Sequence, residues 1–181
     1  MNPTTRIVVT GHVLRVLVEG VLRDLTEQYS FSISEDESED LARPLARLHQ
    51  VRDGSPISFV YNADTTNLEQ SREHKANLDF YFRFGAPPHL VLPFMPSVEV
   101  TLFRASVVQR WLERSGKSFA RATHIAARVA PREMLEFATT LVPGSGGVEG
   151  FLAGIAEAEW AHLRKCREFT RLRAFVKKNA S

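Results

Sequence analysis

Short apolar segments that alternate with longer amphipathic segments set the strongest limit on how this chain can fold. Three of them, residues 6–10 (RIVVT), 57–61 (ISFVY) and 89–93 (HLVLP), are typical of buried strands, and a weaker one lies at residues 31–34. A helical pattern follows most of them. Strands that alternate with helices form parallel sheets, because each connection must cross back over the sheet. We therefore predict a three-layer α/β fold with a mainly parallel sheet of about four strands.

The alternation of strands and helices stops near residue 115. Residues 131–141 begin with a proline, which is favoured in the first turn of a helix, and residues 148–178 predict one or two closing helices. A chain of 181 residues suits one domain. We predict an α/β core over residues 1–115 and, in the same domain, a helical extension over residues 116–181.

Composition excludes several classes of protein. Apolar residues make up 44% of the chain and charged residues 24%, which argues against a disordered protein. The single cysteine, Cys166, permits no internal disulfide and favours a reducing compartment, so we expect a cytoplasmic protein. No apolar run approaches the ~18 residues of a membrane span, so we expect no membrane association. The net charge of +2 is too small to predict a polyanionic partner by itself.

The segment after the first strand permits two interpretations. In one, residues 12–28 form a single helix, with Arg15, Glu19 and Arg23 spaced four apart on its polar side, and this ladder of alternating charge favours the helix. In the other, residues 13–18 form a second strand that a shorter helix follows. Glu19 lies mid-helix in the first interpretation. In the second it lies at a strand tip, where it could act as a general acid or base.

Polar and acidic residues follow two of the predicted strands. Asn62 and Asp64 come directly after residues 57–61, and Glu99 lies in an apolar stretch shortly after residues 89–93. Ligands of parallel α/β proteins bind beyond the carboxyl ends of the strands, and such side chains can hold a hard divalent cation. Alternatively, Asn62 and Asp64 only shape a turn, and Glu99 is favoured in a first helical turn by the helix dipole.

Three motifs together resemble the motif series of the Toprim family. They are RVLVEG (residues 15–20), FVYNAD (residues 59–64) and LVLPFMPSVEVTLF (residues 90–103). The family has a glutamate after the first strand, an Asp-x-Asp after a later strand and, in some branches, a proline-x-x-glutamate after the next. The resemblance covers about residues 6–110. The three motifs most resemble those of compact Toprim-like proteins related to the overcoming-lysogenisation-defect nucleases of bacterial phage defence.

The resemblance implies a nuclease that depends on a divalent metal and acts in phage defence or on mobile DNA. Asp64 and Glu99, with Asn62 beside them, would bind Mg²⁺ or Mn²⁺, and Glu19 would be the catalytic acid or base. Such a site performs phosphoryl transfer on a nucleic-acid backbone. Asn62 replaces the first aspartate of the pattern, which removes one negative charge. If the long helix is correct, the leading glutamate is also missing, and both departures together suggest a degenerate site.

Basic residues concentrate near the C-terminus. Residues 163–178 carry seven basic side chains and one acid, with apolar residues between them. This pattern is typical of a helix that lies on phosphates, and also of a helix that buries its apolar side and exposes the rest. The candidate nucleic-acid-binding residues are Arg164, Lys165, Arg167, Arg171 and Arg173.

Two other function classes remain open. One is a non-catalytic interaction subunit, which would bind a protein partner or a second copy of itself through the acidic residues 35–40 (EDESED) or the basic C-terminal helix. The other is a Rossmann-type nucleotide hydrolase that uses Thr10, Gly11 and His12, although the usual glycine fingerprint is missing.

Overall fold

The fold is α/β, with a four-stranded parallel sheet, as the alternating sequence pattern predicts. The computed structural model describes residues 4–36, 54–83, 88–118 and 129–180. The strands are β1 (Thr5–Thr10), β2 (Phe31–Asp36), β3 (Ile57–Asn62) and β4 (His89–Phe94). The α-helices of the described ranges are α1 (His12–Leu22), α2 (Leu68–Arg83), α3 (Val98–Arg104), α4 (Val107–Arg114), α5 (Met134–Thr140), α6 (Gly147–Ala153), α7 (Glu157–Leu163) and α8 (Arg167–Asn179).

The strand order is β2-β1-β3-β4, and every neighbouring pair is parallel. The register places Ile7 opposite Ile33 on one side and Ser58 on the other, and Phe59 opposite Val91. The chain crosses from β1 to β2 in one direction and from β3 to β4 in the other. Because such crossovers are right-handed, α1 and α2 are expected on opposite faces of the sheet.

Each face of the sheet has its own apolar cluster. On one face, Ile57, Phe59 and Tyr61 pack with Leu78 of α2. The opposite face carries the larger cluster, which joins β1 and β4 to α1 and to the helices that follow residue 129. Within it, Phe94 of β4 meets Phe169 of α8 with ring centroids 4.9 Å apart. Alternate strand residues thus supply the two faces of a central layer.

The segment after β1 is helical, as the ladder of alternating charge predicts. α1 covers His12–Leu22, and a 3₁₀ helix extends it over Arg23–Leu25. A β-carbon added to Gly20 would lie 2.2 Å from the Trp160 ring, so the absence of a side chain at Gly20 lets α7 pack closely against α1. The apolar side predicted for this helix is buried and consists of Leu14, Leu17, Val18, Val21 and Leu25.

Two other predicted helices are interrupted. The pattern over residues 98–114 predicts one helix, but Ser106 has a φ of 57° and separates α3 from α4. Residues 148–178 contain parts of three helices instead of one or two. A further predicted helix, over residues 42–51, lies outside the described residues. None of the helices in the described part of the chain is both long enough and apolar enough to cross a membrane.

Candidate functional site

A pocket of about 400 Å³ opens at the carboxyl ends of the strands. The chain leaves β1 toward one edge of the sheet and leaves β3 toward the other, and parallel α/β proteins bind ligands where the direction reverses in this way. The pocket wall includes the ends of β1, β2 and β3, the start of α1, and Glu99 of α3. The fold therefore brings Asp64 and Glu99 to one pocket, as predicted.

The N-terminus of α1 forms one side of this pocket. Gly11 precedes the helix with a φ of 84°, and no side chain caps the first turn. The first amides of a helix have no partner within the helix, and the helix dipole is positive at this end. His12, Val13 and Leu14 all line the pocket, so their backbone amides can donate hydrogen bonds to a bound anion.

Glu99 is a buried carboxyl group on the wall of the pocket. It lies in the first turn of α3 and is 6% exposed. Its Oε2 atom has no hydrogen-bond partner among the described residues. Burial raises the pKa of Glu99, and the nearby Ser97 hydroxyl, the Glu99 backbone and the charge of Arg132 oppose that shift only in part. Glu99 can therefore hold a proton more readily than a glutamate in water can.

Asp64 lies at the pocket mouth and is held there by an arginine. Its backbone is left-handed, with a φ of 54°, and its amide donates to the Pro96 carbonyl oxygen over 2.8 Å. Nε and Nη2 of Arg132 donate to the two carboxylate oxygens of Asp64. Both side chains remain accessible, Asp64 at 40% and Arg132 at 47%. This paired geometry is the strongest form of contact between an arginine and a carboxylate.

Sequence reasoning missed Arg132, because 68 residues separate it from Asp64. The available local signal was Pro131, which marks the start of a helix and says nothing about a site. It also missed Asp36, which stands out in the sequence only as one of the acidic residues 35–40. Asp36 ends β2, is 6% exposed and lines the same pocket.

Asn62 has a structural role in the strand-to-helix connections. Its Oδ1 atom accepts a hydrogen bond of 2.8 Å from the amide of Val98, the first residue of α3. The side chain thus satisfies one of the amides that a helix start leaves without a partner. The oxygen predicted to face a metal is engaged by the backbone, even though Asn62 lies on the pocket wall.

Glu19 does not lie at a strand tip. Residues 13–18 are part of α1, because their apolar side packs into the core and their charged side pairs at four-residue spacing. Glu19 accepts a hydrogen bond of 2.9 Å from Nε of Arg15. It lines a different cavity, of about 310 Å³, beside Trp160. The interpretation that makes Glu19 an acid at a strand tip is wrong, because residues 13–18 are helical.

The predicted nucleic-acid-binding residues separate into two groups. Arg173 donates to both carboxylate oxygens of Asp24, over 2.6 and 2.8 Å, and lowers the pKa of Asp24 by that hydrogen bonding. Arg164 also pairs with Asp24, at 3.7 Å, so both arginines tie the C-terminal part of the chain to the 3₁₀ helix that extends α1. The remaining candidates are exposed on the outside of the protein, and they are Lys165, Arg167 and Arg171.

The charges of the pocket suit a cation together with a phosphate better than a cation alone. Its wall carries the carboxyls of Asp36, Asp64 and Glu99 and the guanidinium of Arg132. Over the described ranges, no three His, Cys, Asp or Glu side chains are grouped so that they could hold a metal by themselves. Mg²⁺, however, is commonly bound by one or two carboxylates plus substrate phosphates. Asp64 and Glu99, with its unpartnered oxygen, fit that mode.

Comparison with protein-family models, curated proteins and solved structures finds no match for this chain. The resemblance to the Toprim family therefore depends on the three sequence motifs.

Proposed function

We propose that this protein carries out divalent-metal-dependent phosphoryl transfer on nucleic acid, as a nuclease or nuclease-derived protein of the phage-defence kind that the Toprim resemblance implies. The observation that supports the proposal is the meeting of Asp64 and Glu99, from two strand ends, in one pocket with the uncapped start of α1. Carboxylates for a cation and amides for an anion then lie side by side.

The groups of the pocket have distinct roles in this proposal. The amides at the start of α1 bind oxygens of the phosphoryl group and fix its position. Glu99 would bind the cation through Oε2 in its deprotonated form, because this oxygen has no hydrogen-bond partner among the described residues. Tyr61 stays neutral, since burial and the nearby charge of Asp79 raise its pKa to about 12. A cation held by Asp64 and Glu99 would supply positive charge to the phosphate oxygens and acidity to a bound water.

The test is hydrolysis of bis(p-nitrophenyl) phosphate and of plasmid DNA and RNA with Mn²⁺ or Mg²⁺. We expect Asp64→Asn and Glu99→Gln each to lower the rate by about 100-fold or more, the effect typical of a lost acid–base group or cation ligand. Glu113→Gln, an exposed change of the same chemistry on α4, is the matched control and is expected to stay within about twofold. Equal rates in all three variants would refute the proposal.

A non-catalytic binding protein is the second candidate. Two observations favour it: Asn62 is used to cap α3, and both oxygens of Asp64 are bonded to Arg132. In this case the exposed basic residues near the start of α8 form the binding surface. No metal-dependent hydrolysis, combined with salt-sensitive binding of a fluorescent 20-nucleotide strand, would favour this candidate over the enzyme.

A further inference from the structure

The ion pair between Asp64 and Arg132 separates two cavities. Both residues line the 400 Å³ pocket at the strand ends, and both also line a neighbouring cavity of about 600 Å³. Thr65, Thr66 and Pro131 form part of the wall of that second cavity. A ligand in either cavity can therefore reach the pair, and the exposed fractions of 40% and 47% leave room to approach it.

A cation and Arg132 would compete for the same oxygens. Arg132 uses both carboxylate oxygens of Asp64, and these are the oxygens with which Asp64 would hold a cation. A guanidinium that leaves Asp64 can pair with another anionic group close by. Its planar fork matches a phosphate as well as it matches a carboxylate.

Arg132 also acts on the rest of the pocket. Its charge lowers the pKa of Glu99, while the charge of Asp64 raises it, so all three groups interact electrostatically. A phosphate bound in the pocket would receive hydrogen bonds from the uncapped amides of α1. An Arg132 guanidinium released from Asp64 but still on the pocket wall would be a second donor to the same phosphate.

We propose that Arg132 is the phosphate-recognition residue of this protein and that it exchanges partners when ligand binds. In the free protein Arg132 neutralises Asp64. When a cation and a phosphoryl group enter together, the cation takes Asp64 and the guanidinium takes the phosphate. This inference rests on the proposed function, and it predicts that cation and phosphate bind with positive coupling.

The experiment measures Mn²⁺ binding to the full chain from the electron paramagnetic resonance signal of free Mn²⁺, with and without inorganic phosphate. In the unmodified protein we expect phosphate to tighten Mn²⁺ binding by about fivefold or more. Arg132→Gln frees Asp64, so Mn²⁺ alone should bind about tenfold tighter, while the effect of phosphate should fall below about twofold. One substitution thus shifts the two quantities in opposite directions.

Matched variants make the result specific. Arg104→Gln removes an exposed arginine from α3 and should change neither quantity. Arg132→Lys keeps the charge but lacks the planar fork of the guanidinium, so it should give intermediate values. If circular dichroism shows that Arg132→Gln does not fold, Arg132→Lys takes its place in the test. Asp64→Asn should abolish Mn²⁺ binding in every background.

The two proposals fail in different ways. Mn²⁺ binding that depends on Asp64 but is unchanged or weakened by Arg132→Gln overturns the exchange and leaves the proposed function standing. Exchange of partners without hydrolysis of any phosphodiester overturns the proposed function and leaves the exchange standing. Absence of Mn²⁺ binding in the unmodified protein and in Arg132→Gln overturns both.

Discussion

A carboxyl group on the wall of an apolar core reduces stability whenever it is charged. Glu99 is in this situation, because it is buried beside Val98 and Leu102 and one of its oxygens lacks a partner within the described residues. Proteins retain such groups mostly where chemistry uses them. The pH dependence of stability therefore gives a test of Glu99 that needs no substrate.

Glu99→Gln should stabilise the protein more at pH 8 than at pH 4. The folded-state pKa of Glu99 lies above its ordinary value of 4.5, so the folded state binds more protons than the unfolded state as the pH rises through that interval. The free energy of unfolding of the unmodified protein falls there, and the loss persists at higher pH. A neutral amide removes this loss. Thermal melts of both proteins across pH 4 to 8 measure the difference.

Glu113→Gln is the control for this measurement, since Glu113 is exposed on α4. Its melting temperature should follow that of the unmodified protein at every pH. A Glu99→Gln variant whose gain in stability is independent of pH would mean that packing, and not ionisation, accounts for the effect.

At the scale of the element, α8 has one side that is fixed and one that is free. Phe169, Leu172 and Val176 are buried. Arg173 donates to the carbonyl oxygen of Val21 in α1 and to Asp24 in the 3₁₀ helix that follows α1. Lys165, Arg167 and Arg171 lie outside the core, around the beginning of the helix. The basic residues of this helix thus include some that form internal ion pairs and some that are exposed. The sequence alone does not separate the two groups, because only contacts with the rest of the fold distinguish them.

Arg173→Ala should lower the free energy of unfolding by about 1–2 kcal/mol, because it removes a charge-assisted pair and a bond to a backbone carbonyl. Arg171→Ala, two residues away on α8 but exposed, should change it by less than about 0.5 kcal/mol. Urea denaturation measures both. If the exposed residues bind nucleic acid, Arg171→Ala should weaken nucleic-acid binding more than Arg173→Ala does. Equal losses of stability would contradict this division of α8.

The elements differ in how well the sequence predicts them. Continuous apolar segments predict β1, β3 and β4, because a strand covered on both faces must be apolar throughout. The charge ladder predicts α1. The break between α3 and α4 has no such signal, since Ser106 adopts a left-handed backbone that serine seldom takes. Local pattern therefore predicts the elements and misses the break at Ser106.

The same limit applies to the site. The rule that ligands bind beyond strand ends places Asp64 and Glu99 at the same edge of the sheet from the sequence alone. Arg132 lies 68 residues after the Asp64 that it binds, and the Asn62 side chain lies 36 residues before the Val98 amide from which it accepts a hydrogen bond. Both are pairings between distant segments, which periodicity does not encode.

At the scale of the whole molecule, the sheet and the C-terminal helices share one core. Trp111 of α4 meets Phe151 of α6 with ring centroids 5.3 Å apart. The buried Glu159 of α7, 1% exposed, pairs with Arg114 of α4. At the end of α8, the Ala180 carbonyl oxygen accepts a hydrogen bond of 3.2 Å from the amide preceding β2. Each contact joins the part before residue 115 to the part after residue 129.

Residues 1–115 expressed alone should therefore fail to fold cooperatively. Removing the later helices uncovers part of the shared apolar cluster, including Leu17 of α1 and Phe94 of β4. Each Å² of apolar surface exposed costs about 25 cal/mol, and a domain of this size is normally stable by only about 5–15 kcal/mol. Near-ultraviolet circular dichroism and urea denaturation would detect the loss of fixed packing, with the full chain as control. A fragment that unfolds in one sharp transition, within about 1 kcal/mol of the full chain, would mean instead that the sheet and α1–α4 form an independent domain, to which the C-terminal helices only attach.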